Sequence, residues 1–168
     1  MKSRLYVLRF SRSAIFLTVI SLTLTGSSIA QSRASYLPDP KLTPGEAVTV
    51  KKEDVCEADR RNLSKGGISM DMKRRVFDRY GIRGDSPVAY DVEHLIPPGL
   101  GGSNSINNLW PQPVIGDWNH AMKDRLERRL HKMVCRGALD LKTAQQELAS
   151  DWTKAYKKYV GDPAQSSK

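Results

Sequence analysis

The chain has 168 residues, carries 27 Lys and Arg against 18 Asp and Glu for a formal net charge of +9, and holds only two cysteines and three histidines. That length sets one domain as the prior, and the lack of any C-x-x-C pair excludes cysteine-based structural zinc. The positive balance favours polyanions, whether nucleic acid, anionic lipid or cell-envelope polymer, and does not choose among them.

Residues 1–30 read as a secretory signal peptide. Lys2, Arg4, Arg9 and Arg12 form the positive region, Ala14 to Leu24 the apolar run, and Ser28-Ile29-Ala30 a small-x-small cleavage site. A membrane span needs roughly 20 apolar residues, and Thr25 to Ser28 interrupt this run too soon. The expected location is therefore secreted or periplasmic, with no stable membrane insertion after cleavage. The remaining chain keeps 23 basic against 18 acidic residues and stays positive. In an exported chain, two cysteines default to a disulfide, here Cys56–Cys135. It closes a loop of about 80 residues and stabilises the fold by roughly 4 to 5 kcal/mol in the chain-entropy model.

The pattern predicts an α+β, mostly helical fold. Residues 31–66 read as an extended N-terminal segment. Within it Gln31 to Glu46, with prolines at 38, 40 and 44, is a leader that packs late or not at all, and Ala47 to Val55 forms a short strand or turn. Residues 67–168 are the expected functional domain. A helix starts at Ser69, where Met72, Val76, Phe77 and Tyr80 share a face, and Gly81 caps it. Val88 to Ile96 is rich enough in Val, Tyr and Ile for a strand, which Pro97-Pro98 ends. After a Gly-rich loop, Leu109-Trp110 start a second strand ahead of Pro111 and Pro113, giving a hairpin.

From Trp118, Met122, Leu126, Leu130, Met133 and Val134 repeat at helical spacing to about Cys135, with Gly137 beyond. Residues 123–136 hold an excess of four positive charges. Among them Arg125, Arg128, Arg129 and Lys132 are candidate nucleic-acid contacts. A last helix, Thr143 to Tyr159, packs Ala144, Leu148, Trp152, Ala155 and Tyr159.

The chemistry concentrates between Asp91 and Lys123, inside a core of residues 88–136. Cleaving a phosphodiester needs a base to deprotonate water and a group to stabilise charge on the leaving oxygen, which a divalent metal does without a proton. His94 suits the base, because neutral imidazole is abundant near pH 7. Glu93 and, at the helix start, Asn119 or His120 offer the oxygen or imidazole donors a metal bridging phosphate oxygens requires.

Asp91-Val-Glu93-His94-x-x-Pro97, then Leu100-Gly-Gly-Ser-Asn-Ser-x-x-Asn108-Leu109, then the Asn119/His120 to Lys123 helix start together resemble the HNH endonucleases of the ββα-metal fold. The longer run through LWPQP, KDRLERRL, VCRG and AQQELASDW resembles a group of small exported bacterial HNH proteins. The resemblance implies a hairpin-plus-helix core with flanking helices, little sequence specificity, Glu93 on the metal and His94 as general base. It also implies that Asn108 pins the loop, that Lys123 belongs to the catalytic set, and that Asn119 is favoured over His120 as third ligand. One divalent ion is expected, Mg²⁺ first, with Mn²⁺, Zn²⁺ or Ni²⁺ also suited. Nucleic acid is the expected partner, DNA ahead of RNA. The competing reading is a non-catalytic basic module that binds nucleic acid or the cell envelope.

Overall fold

In the computed structural model, which describes residues 37–57, 67–84 and 89–162, four α-helices stand around one antiparallel hairpin. They are α1 (Lys52–Glu57), α2 (Met70–Arg79), β1 (Tyr90–His94), β2 (Leu109–Pro113), α3 (His120–Cys135) and α4 (Leu141–Tyr159). Single 3-10 turns, Pro98–Leu100 and Ile106–Asn108, lie between the strands. The class is α+β. The expected signal peptide and its cleavage site lie outside the described residues.

Among the described residues, 37–57 pack onto the hairpin loop and α3, with Ala47 bridged to Gly102. The proline-rich leader is corrected: Thr43 is buried, and its hydroxyl meets Leu109 O at 2.8 Å and Tyr80 Oη at 2.7 Å. Where a strand or turn was expected before Cys56, α1 forms. Asp54 Oδ2 accepts the Lys51 N–H at 2.9 Å, and Glu53 and Asp54 put negative charge on the first turn. A six-residue helix is too short to show a period.

The longer helices begin and end on legible caps. Ser69 Oγ accepts the Met72 N–H at 3.2 Å, and beyond Tyr80 the chain turns at Gly81, φ +64, with Ile82 N–H on Phe77 O. Helix α3 starts at His120 rather than Trp118, because Asn119 is its N-cap. Helix α4 is broken at Asp151, whose extended backbone (φ −167, ψ 92) lets Oδ1 accept from Thr153 N, Thr153 Oγ1 and Lys154 N and so cap the second segment.

β2 runs through both prolines instead of stopping before them, since Pro111 pairs with Val92 and Pro113 with Tyr90. The bonds flanking the strands, Leu95 N–H to Asn108 O and Val114 N–H to Ala89 O, put even-numbered β2 residues in the bonded positions. Pro111 and Pro113 therefore face away from β1, where no donor is needed. β1 is described from Tyr90 to His94, shorter than expected, with Val88 outside the described residues.

Alternation along the strands divides the apolar residues between the two faces. Val92 and Leu109 meet Val76 of α2 in a small cluster. On the other face Trp110 joins the main core, where Leu126, Leu130 and Val134 of α3 pack with Ala144, Leu148 and Trp152 of α4. Full burial of such side chains contributes about 1.5–3 kcal/mol each. The expected stripe on α4 is met except at its end, where Tyr156 rather than Tyr159 is fully buried.

Cys56 and Cys135 form the expected disulfide, with Cα atoms 5.5 Å apart and a sequence separation of 79. It fastens α1 to the C-terminal end of α3. Reducing it should lower stability by at most about 4–5 kcal/mol, seen as a lower melting temperature with reductant. Two titratable thiols in the unfolded, unreduced protein, or coincident melting curves, would remove the brace.

Candidate active site

The Asp91–Lys123 residues converge on the free edge of β1. His94 pairs with Leu109 in a non-bonded position, so its carbonyl points away from β2 and lacks a strand partner. Lys123 Nζ crosses from α3 and donates to that oxygen at 2.6 Å. Consecutive strand residues turn to opposite faces. Glu93 consequently leans toward α3 and His94 toward the 101–108 loop, and the two side chains flank the edge that Lys123 closes.

His94 Nε2 lies 2.7 Å from Asn104 Oδ1. Because a carboxamide oxygen only accepts, Nε2 carries the proton and Nδ1 keeps its lone pair. Burial holds the His94 pKa below its ordinary value, with the Lys123 charge adding to that and the Asn104 bond and Glu127 opposing it. The neutral, base-competent imidazole is favoured. Asn104 was not among the residues singled out in sequence; a loop Asn carries no periodic signal.

The loop that presents Asn104 is rigidly fastened. Gly101 is left-handed at φ +79, and a Cβ on Gly102 would sit 1.7 Å from Ile96 O, so both glycines are required by shape. Asn108, fully buried, bonds the backbone as expected: Oδ1 accepts from Ile96 N at 3.0 Å and Glu46 N at 3.3 Å, and Nδ2 donates to Ile96 O and Ser103 O, each at 2.9 Å. It acts through the loop and touches no reacting position. Glu46 reaches the same loop from outside, its carboxylate accepting from Ser103 Oγ (3.1 Å), Ser105 Oγ (3.0 Å) and Asn107 Nδ2 (3.2 Å). Those three bonds, Ser105 foremost, hold the Glu46 pKa below 4.5 against a smaller opposing effect of burial.

Lys123 is 2 % exposed and ion-paired with Glu127, one turn on. Its buried charge is thus directed to the His94 carbonyl and to Glu127.

On the α3 side, Glu93 Oε1 stands 3.2 Å from His120 Nδ1. Burial raises the Glu93 pKa, Glu127 and Asp91 add to the rise, and His120 and Lys123 oppose it. Asp91 is pushed up by burial, but Lys73 Nζ at 2.7 Å, the Val92 N–H and His120 outweigh that and hold its carboxyl low. The two candidate third ligands, Asn119 and His120, are placed differently. Asn119 Oδ1 caps Met122 N–H at 3.3 Å and its Nδ2 donates to Gly116 O at 3.1 Å, so its amide is committed to the helix start, whereas His120 turns to Glu93.

Among the described residues no three His, Cys, Asp or Glu side chains form a group that would hold an ion. Glu93 and His120 nevertheless have the spacing of two donors on one ion, about 3.0–3.4 Å for bonds of about 2.1 Å at octahedral to tetrahedral angles. Comparison with protein-family models, curated proteins and solved structures found no match. Arg125, Arg128, Arg129 and Lys132 are all exposed and line one cleft with Tyr159 and Val160. Arg128 Nη1 lies 3.4 Å from Asp124 Oδ2, and Asp124 lies 3.8 Å from His120 Nε2.

Breaking the buried pair exposes how much the edge depends on it. Lys123→Met should destabilise the fold toward the lower end of about 3–5 kcal/mol, because Glu127 keeps some solvent. Adding Glu127→Leu should recover much of the loss in denaturant unfolding. A single variant as stable as the wild type would show the pair to be dispensable.

Glu46 predicts an acid-sensitive loop. With its folded pKa below the ordinary 4.5, its contribution is fully present above that value and is lost as pH falls through the folded value. Glu46→Gln should melt lower at neutral pH and lose that part of the acid dependence. Parallel melting curves for both proteins from neutral pH to below 4 would refute this.

Proposed function

We propose that this chain is an exported, metal-dependent endonuclease of the HNH type that hydrolyses nucleic-acid phosphodiester bonds with little sequence preference. The carrying observation is that Glu93 and His120 stand 3.2 Å apart at the strand edge where His94 is held by Asn104 in the tautomer a base needs. The hairpin, the fastened loop and the following helix have the order of the ββα-metal core, which supports the reading.

In this mechanism His94 Nδ1 takes the proton from the attacking water, and Asn104 steadies the Nε2–H of the imidazolium that forms. Lys123 fixes the His94 backbone, and the loop fixes Asn104. Glu93 and His120 would hold the divalent ion, which when bound polarises the phosphate and neutralises charge on the leaving oxygen. One carboxylate with one imidazole suits Mn²⁺, Zn²⁺ or Ni²⁺ at least as well as Mg²⁺. Export agrees with the disulfide, and no helix among the described residues is long and apolar enough to cross a membrane.

The test is cleavage of plasmid DNA by the oxidised protein, with metal and with chelator. His94→Ala should lower the rate by about 10²–10⁴-fold with the fold intact. His120→Ala should raise the metal requirement. Asn119→Ala should cost only the cap, about 1 kcal/mol of stability. Wild-type cleavage by His94→Ala would sink the base assignment, and an equal metal shift in Asn119→Ala would return that residue to the site.

A further inference from the structure

The four cations of α3 do more than decorate a solvated face. Arg125, Arg128, Arg129 and Lys132 open onto a single cleft of about 380 Å³ whose far wall is Tyr159 and Val160, at the end of α4. Arg129 Nε donates to Tyr159 O at 3.2 Å, which fastens that wall to the helix. The Tyr159 ring is covered by Lys158, 4.9 Å from its centroid, and its hydroxyl donates to Glu147 at 3.0 Å. Lys158 thus covers one face of that ring, and what the cleft chiefly offers is positive charge.

Side-chain contacts link one wall of the cleft to the candidate active site. Glu93 meets His120, His120 meets Asp124 and Asp124 meets Arg128, a contact series along one side of α3. At 1.5 Å per residue, Arg128 lies about 12 Å and Lys132 about 18 Å along the helix from His120. At about 3.4 Å of rise per nucleotide along a duplex strand, that is on the order of four or five nucleotides.

We propose that this cleft is a remote backbone subsite, which grips the phosphates of a nucleic-acid strand several nucleotides from the bond being cut. The length consequence rests on the nuclease reading; the binding itself does not. A strand too short to reach the cleft loses the grip. Cleavage should therefore become efficient only above a minimum length and should leave an uncut terminal stretch of about four or five nucleotides on one side.

The experiment compares the full, oxidised wild type with Arg125→Glu/Lys132→Glu, both positions being exposed, and with Arg125→Gln/Lys132→Gln as a milder pair. Binding of a labelled duplex is measured against salt in chelator, and cleavage of short and long duplexes is measured with metal. The variants should flatten the salt dependence by about 0.9 log unit per lost contact and shrink the advantage of long over short duplexes. An unchanged salt slope, or wild-type protein cutting the shortest duplex as well as the longest, overturns the subsite. A flattened slope in a protein that cuts no duplex keeps the cleft as a backbone-binding site and removes the nuclease reading instead.

Discussion

The carboxamide of Asn108 is the group on which the rest of this architecture depends. Its four bonds join the N-terminal strap at Glu46, the chain just beyond β1 at Ile96 and the loop at Ser103. A buried amide with every position filled is stabilising, but one left short of a partner costs about 1–3 kcal/mol. The arrangement is accordingly all or nothing. Gly102 completes it by letting the loop backbone pass against Ile96 O where no side chain fits.

Helix α3 turns that fixed hairpin into a possible reaction centre. Its first residue reaches Glu93, its first turn sends Lys123 to the His94 carbonyl, its exposed side carries the guanidinium groups, and its last residue is bonded to α1. A rod held at both ends keeps its two polar faces in register. Placing an ammonium inside the protein is costly unless it is paired and hydrogen-bonded, and Lys123 is held by a main-chain oxygen and a carboxylate. The same buried charge helps hold His94 neutral, so a stabilising contact also tunes the nearby imidazole.

Much of this was legible in the chain, for physical reasons that also explain the failures. Met72, Val76, Leu126, Leu130 and Leu148 announce their helices because one-sided burial imposes a period near 3.6. Ser69 and Gly81 announce ends because caps have chemistry. Asn119 carried that same cap signal, an Asn just before an apolar repeat, and its amide does cap the helix while His120 faces Glu93. The strap could not be read, since Thr43 and Glu46 act through polar bonds to residues about sixty positions away, and such bonds leave no periodic trace. The break at Asp151 was equally silent, being made by a side chain that outcompetes the backbone without Pro or Gly.

Pro111 and Pro113 have a consequence outside the molecule. A two-stranded ribbon has two margins on which a neighbouring chain can lay a third strand, a route to fibrils and swapped oligomers. Here one margin lacks amide hydrogens at two alternate positions and has its Leu109 oxygen taken by Thr43, while the other is occupied by an ammonium at His94. Neither invites a strand.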